Sequence, residues 1–240
     1  MIFVSSWDDG HPLDQRLAGI LEHYGFVGTF FVPGRNREGL PVIASDALRR
    51  LSSSHEIGSH TLDHGYLKGS PPETIWQQID GGKRALEDLL GTRVDGFCYP
   101  GGELDPYTVS AVRRAGFRYA RTVENLVTGP PSDRFRVATT LQFYPHRPRA
   151  LLGNWLRHPG RLSKAGLLRV LLHCRGLEEQ LRAAVEYMHN GNGVLHVWGH
   201  SWEIERYQLW DMLERFLGYL AAAELTSLTI SGLLQRELNG

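Results

Sequence analysis

Cysteine is scarce: the 240 residues contain only Cys98 and Cys174. Two thiols so far apart in sequence exclude a disulfide framework and a cysteine-ligated zinc site. Excess charge is absent as well. The 26 basic residues are matched by 26 acidic ones, so no overall field recruits nucleic acid. No apolar run approaches the length that spans a bilayer. No basic segment precedes the first apolar run, and the first charged residue is Asp8, so a cytoplasmic chain is expected. No glycine-rich phosphate fingerprint follows that run, which counts against a dinucleotide-binding open sheet. Nor does any internal boundary show, and residues 1–240 are expected to form a single domain.

What is present is alternation. Short β-prone runs at 1–5, 28–32, 56–59, 94–99, 117–122, 135–140, 193–198 and 225–230 are separated by segments of helical spacing. The segment 13–24, with Leu13, Leu17, Ile20 and Leu21 on one face and Gly25 as its stop, is a typical case. Ser70-Pro71-Pro72-Glu73 signals the start of another helix, running to about Leu90 before Gly91. Eight strands with intervening helices predict an α/β fold, an irregular TIM-like (β/α) barrel. An open doubly wound sheet is the alternative. In a barrel, chemistry collects at the C-terminal strand ends, where Asp8, Asp9, His60, Gly101, Gly102, Arg121 and His200 all fall.

Two short motifs stand out. Ser6-Trp7-Asp8-Asp9-Gly10 closes the first strand with two carboxylates, which on extended backbone would point to opposite sides and so take different tasks. An Asp-Gly turn with solvated acids accounts for these residues equally simply. His60-Thr61-Leu62-Asp63-His64 sets two imidazoles four residues apart, which one helical turn would bring onto one face. Among eleven histidines such a pair is weak by itself. With Asp9 it makes a His-His-carboxylate set, and three ligands with a position left open describe a catalytic divalent site. Further on, His196, Trp198 and His200 alternate onto one strand face.

These motifs carry a resemblance. SWDDG resembles the first motif, T-F-D-D-G, of the polysaccharide deacetylase family (carbohydrate esterase family four), and HTLDH fits its second, H-[S/T]-x-x-H, at every defined position. GTFFVPG and FCYPGG resemble the segments that follow in order. The family fold is an irregular (β/α) barrel. The resemblance implies that Asp9, His60 and His64 hold a divalent metal, zinc foremost, with cobalt, nickel or manganese as alternatives. It implies that Asp8 is the general base in water attack on the N-acetyl or other acyl group of an amino sugar or glycan precursor. A backbone N–H near Gly101 or Gly102 would help hold the oxyanion. A histidine would protonate the leaving amine; His200 is favoured over His196, and Glu203 is either its orienting carboxylate or simply a helix-start acid. Tyr99 and Trp202, with Trp7, Tyr66 and Trp198, are candidates for stacking on a sugar, or are core.

Two departures accompany the match. The family's third motif carries an arginine that pairs with the base, and Phe97-Cys98-Tyr99-Pro100 has none; Arg121 is expected to supply that cation, or else snorkels to the rim. The fourth motif, an Asp and a Trp, is not recognisable. The same machinery on a small amide or imide, and a non-catalytic carbohydrate-binding barrel, are the rival readings. Finally, no acid occurs from 145 to 175, where Arg147, Arg149, Arg157, Arg161, Lys164, Arg169 and Arg175 interleave with leucines. A helical excursion about 145–176 with a solvated basic face is the simple account; contact with anionic lipid, or with the phosphate of a lipid- or nucleotide-linked sugar, is the sharper one.

Overall fold

The computed structural model describes residues 1–146, 148–157, 161–188 and 193–239. Strand β1 (Ile2–Trp7) is buried along its whole length, as a strand covered on both faces must be. Its two serines are satisfied internally: Trp7 Nε1 donates to Ser5 Oγ at 3.2 Å, and Ser6 Oγ meets His196 Nε2 at 2.9 Å. After β1 come α1 (Asp14–His23), β2 (Thr29–Val32), α2 (Ser45–Leu51), β3 (Glu56–Ser59), α3 (Pro72–Leu90), β4 (Gly96–Cys98), α4 (Pro106–Arg114) and β5 (Tyr119–Arg121). The second half holds β6 (Leu141–Gln142), α5 (Pro148–Arg157), α6 (Arg161–Leu171), α7 (Leu177–Met188), β7 (Val194–Gly199), α8 (Ser201–Arg206), α9 (Trp210–Ala222), β8 (Thr226–Leu228) and α10 (Ile230–Asn239).

The strands form one eight-stranded sheet in the order β5-β4-β3-β2-β1-β7-β6, every pairing parallel, with β8 added to β1. One edge of β1 pairs with β7 from Ile2↔Val194 to Trp7↔Gly199. The other edge is shared: β8 takes Ile2 to Val4, and β2 takes Ser6 and Trp7. That wedge makes the sheet curl, and the result is the barrel-like α/β architecture expected.

The strand expected at 135–140 is not one. Arg134 O accepts from Ala120 N at 2.8 Å and Val137 O from Thr122 N at 2.9 Å, whereas Thr140 N donates to His196 O at 2.8 Å. The segment changes neighbour part-way along, from β5 to β7, so no continuous ladder forms until Leu141 and Gln142. It thereby spans the gap between the two ends of the curled sheet. The basic excursion is the helix pair α5 and α6. Leu151, Lys164, Leu167, Leu168 and Leu171 are buried, while Leu152, Leu156, Leu162 and Leu172 are exposed. Arg147 and the side chains of Arg157 and Arg161 lie outside the described residues. Among the described residues no helix is long and apolar enough to cross a membrane.

Candidate metal centre

The carboxylates leave β1 by a turn that only certain residues tolerate. Asp8 N extends the β7 ladder by one bond, to Gly199 O at 3.0 Å. Asp9 then adopts φ 75° and Gly10 φ 56°. A Cβ at Gly10 would lie 2.6 Å from Val32 Cγ1, so glycine is required there. Because Asp9 is left-handed rather than extended, the strand alternation expected of Asp8 and Asp9 does not apply, and both border one cleft.

The two histidines are also brought together by a turn, not by the helical turn expected. Thr61 and His64 have φ of 69° and 59°. Three hydrogen bonds fasten the turn: Leu62 N to Gln78 O at 2.9 Å, Asp63 N to Gln78 Oε1 at 3.1 Å, and Gly65 N to Thr61 Oγ1 at 3.1 Å. Helix α3 lies so close that a Cβ at Gly82 would be 2.6 Å from the Thr61 carbonyl carbon. The glycines in the middle of α3 were the signal of this approach. His60 follows β3 directly, and its Nδ1–H donates to Cys98 O at 2.9 Å.

Asp9 Oδ1 lies 3.2 Å from His64 Nε2 and 3.8 Å from His60 Nε2. The three ligand atoms are all within 4.8 Å of one another, on buried residues. Asp9 Oδ1 is itself buried without a hydrogen-bond partner. An anionic oxygen left bare between two imidazole nitrogens fits a divalent cation, since a buried charge otherwise calls for a bond. Burial pushes the Asp9 carboxyl up, but the nearby His64 ring and the charges of His200, His60 and His64 outweigh it and hold Asp9 well below the usual carboxylate range. Burial pulls His60 down to about 4, so its ring is neutral near pH 7. Against the burial effect, the close approach of Asp9 and the charges of Asp9 and Glu38 raise His64.

Beside this set, the buried Arg121 guanidinium pairs with Asp8 Oδ1. The arginine does not snorkel: it is 0% exposed, with the Trp198 and Phe31 ring centroids 4.8 and 5.3 Å from its Cζ. Cys98 Sγ stands 3.7 Å from Asp8 Oδ2. His200 faces the cleft, its Nδ1 bonded to Glu203 Oε2 at 2.6 Å and its Nε2 3.9 Å from Asp9 Oδ2. Burial would lower His200, but the Glu203 bond and the charges of Asp9 and Asp8 raise it to about 9. His196 has both nitrogens occupied, Nδ1 by Ala138 O at 3.1 Å and Nε2 by Ser6, and burial pulls it down to about 3.

Trp202 also borders the cleft, its Nε1 donating to Asp9 Oδ2 at 2.8 Å. Tyr99 does not: it is fully buried, its hydroxyl on Phe135 O at 3.1 Å, because its ring belongs to the core beside Phe97. Gly101 borders the cleft beside the Tyr66 ring, whereas the Gly102 N–H is already donated to Tyr99 O at 2.9 Å. Trp7 is core; Trp198 and Tyr66 line the cleft. Sequence reasoning missed Glu38, Asn125, Gln142, His146 and Asn154 in the cavity of about 360 Å³. Asn125 and His146 lie between named elements, where no periodicity marks a facing, Gln142 ends the two-residue β6, and Asn154 lies in α5. Gln142 bonds both Glu203 Oε2, at 3.3 Å, and His146 Nε2, at 2.8 Å, so a chain of polar groups backs His200.

Asp9, His60 and His64 thus form a buried group, at the C-terminal rim of a curled parallel sheet, that could hold a metal ion. The family described as polysaccharide deacetylase matches residues 2–120 of the chain. The chain is 27% identical over 119 residues to a peptidoglycan-N-acetylglucosamine deacetylase of Bacillus cereus, which is 49% of this chain and 54% of that one. The chain spans about half the length of the curated relatives it matches. In fold it is similar to a family 4 acetyl xylan esterase from Clostridium thermocellum, solved with a cobalt ion: TM-score 0.62, 17% identity, covering 98% of this chain and 91% of that one. It is also similar to a family pseudoenzyme from Bacillus anthracis, with TM-score 0.59 and 15% identity, covering 97% and 65%.

Proposed function

We propose that the protein is a metal-dependent deacetylase that removes an N-acetyl or other acyl group from an amino sugar or glycan precursor. The observation that carries this is the bare Asp9 oxygen between His60 and His64, next to a second carboxylate that is not part of the set. A divalent ion held by Asp9, His60 and His64 supplies Lewis-acid activation of the water and the acyl carbonyl. The mixed oxygen and nitrogen donors suit zinc, with cobalt, nickel and manganese as substitutes. Asp8, oriented by Arg121, accepts the proton of the attacking water. The Gly101 N–H is the backbone donor nearest the role of oxyanion holder. His200 then gives its proton to the departing amine, which leaves poorly as an anion. Trp202 and Tyr66 offer aromatic surface at the mouth for a sugar ring.

Metal analysis together with acetate release from N-acetylated sugars tests the proposal. Bound metal with acetate released is expected; metal without acetate would favour a small amide or imide as substrate. No metal would leave a carbohydrate-binding barrel, a real alternative for a fold that a pseudoenzyme shares. Glu203→Gln is expected to move the basic limb of kcat/KM to lower pH. The Glu203 bond and charge raise His200, so without them the proton is lost sooner; metal at Asp9 offsets the Asp9 charge but leaves the Glu203 effect in place.

A second observation narrows the substrate. Leu152, Leu156 and Leu162 are exposed on the same helix pair as Arg149 and Arg169, and Asn154 of α5 borders the cleft. An apolar and basic lip beside the site suits a cytoplasmic glycan precursor carrying a lipid-linked phosphate. Sedimentation with liposomes should then rise with anionic lipid content and fall with salt. Equal sedimentation with neutral liposomes would remove the membrane part of the reading.

A further inference from the structure

The two histidines differ in what stands behind them. An imidazole that ligates through Nε2 carries its proton on Nδ1, and that N–H must find an acceptor that fixes the ring. For His60 the acceptor is Cys98 O, a rigid backbone carbonyl on β4. For His64, Nδ1 is buried without a hydrogen-bond partner, and the nearest acid is Glu38, its Oε1 3.4 Å away. Glu38 sits between β2 and α2 on a loop that follows the metal-binding turn residue by residue. Gly34 N bonds Thr61 O at 3.3 Å, Arg35 N bonds Leu62 O at 3.0 Å, and Arg37 N bonds Asp63 O at 3.1 Å. Arg35 also pairs with Asp63 at 3.5 Å. The loop end is fixed as well, since Glu38 N donates to Asn36 Oδ1 at 2.8 Å.

Resting on the metal reading above, we infer that Glu38 is a positioning residue which accepts the His64 Nδ1 proton when a divalent ion is bound and thereby sets the affinity of the site. The movement needed is small: a few tenths of an ångström and a better angle turn the present contact into a hydrogen bond. Glu38 is half-exposed, its side chain 45% accessible, so its carboxylate can turn without unpacking anything. The same carboxylate borders the cleft beside Tyr66. Its charge, after burial, raises the Tyr66 hydroxyl, which places the two groups within electrostatic reach. Glu38 therefore links the rear of one metal ligand to the mouth through which substrate enters. A solvated loop acid would have neither neighbour.

The test is a competition titration of zinc, and separately of cobalt, against a chromogenic chelator, on the full chain. Glu38→Ala is expected to weaken both ions by about 10- to 100-fold, the usual effect of losing such a partner. Glu38→Gln, whose amide oxygen still accepts but carries no charge, should fall between Glu38→Ala and the wild type. Metal-free melting temperatures should be alike for all three, because a half-exposed loop side chain contributes little to the apo fold. A Glu38→Ala affinity within twofold of wild type overturns the inference alone. Wild-type protein that binds neither ion overturns the metal reading, and this inference with it.

Discussion

Asp9→Asn is expected to abolish stable metal binding and to lower turnover by about a thousandfold, since electrostatic activation worth several kcal/mol converts at about 1.4 kcal/mol per factor of ten. The change keeps the side-chain volume, so packing is spared, and the amide can still accept the Trp202 indole N–H. What it removes is the one anionic donor between His60 and His64, whose oxygen no protein group satisfies. Inductively coupled plasma analysis of dialysed protein, with acetate release on the same sample, reads both effects. Retained stoichiometric metal in Asp9→Asn would place the ligands elsewhere.

The pH dependence of binding has a definite sign. Metal competes with protons for its ligands. Asp9 holds no proton anywhere near neutrality, because its carboxyl is pulled far down, and His60 gains one only near about 4. Of the three, His64 is the one whose protonation is favoured, by the adjacent Asp9 charge and the neighbouring acids. Affinity in the wild type should therefore fall as pH drops below neutrality, with His64 titrating first. Removing Asp9 removes that support for the His64 proton, so whatever affinity remains in Asp9→Asn should begin to decline only at a lower pH than the wild-type affinity does. Chelator competition at stepped pH measures the shift.

The first two motifs were legible because strand ends and metal chemistry constrain residue type directly: a carboxylate pair at the end of a buried run, and two imidazoles at fixed spacing. The reasons were less legible than the outcome. Alternation and the helical turn both misdescribe the backbone here, since Asp9, Thr61 and His64 take left-handed conformations that no hydrophobic period encodes. The first five strands of the alternation and the last two were read nearly in place, though 135–140 shows how a segment of strand-like composition fails to make a ladder when it serves two neighbours in turn. Tyr99 misled because a tyrosine next to a glycine-rich strand end looks rim-facing, yet its ring closes the core. Glu38, Gln142, His146 and Asn154 left no signal at all. Glu38 and His146 lie on backbone between the named elements, while Gln142 in β6 and Asn154 in α5 border the cleft through where those short elements are set down, and only coordinates supply that. Glu203 shows the opposite case: it is both a first-turn acid of α8 and the partner of His200, so the two readings of the sequence were never exclusive.

Arg121→Ala should cost more stability than any other single change at the site. The guanidinium and the Asp8 carboxylate are both buried, and taking one partner from such a pair leaves an uncompensated charge, a loss of about 3–5 kcal/mol. Its Nε and Nη1 have no hydrogen-bond partner among the described residues. The ion pair with Asp8 and the flanking Trp198 and Phe31 rings are thus what hold it. Activity should fall by about a hundredfold as the proposed base, Asp8, loses its orientation. Unchanged turnover would remove Arg121 from the mechanism. A second variant separates charge from packing. Cys98 is the direct register partner of Arg121 across β4 and β5, and its sulfur touches the other Asp8 oxygen. Cys98→Arg combined with Arg121→Ala transfers the cation one strand along, into volume that the first arginine vacates. If Asp8 needs a cation and not this arginine in particular, the double variant recovers both the midpoint of chemical denaturation and turnover relative to Arg121→Ala, while Cys98→Arg alone, crowding two guanidinium groups onto one carboxylate, is less stable than the double.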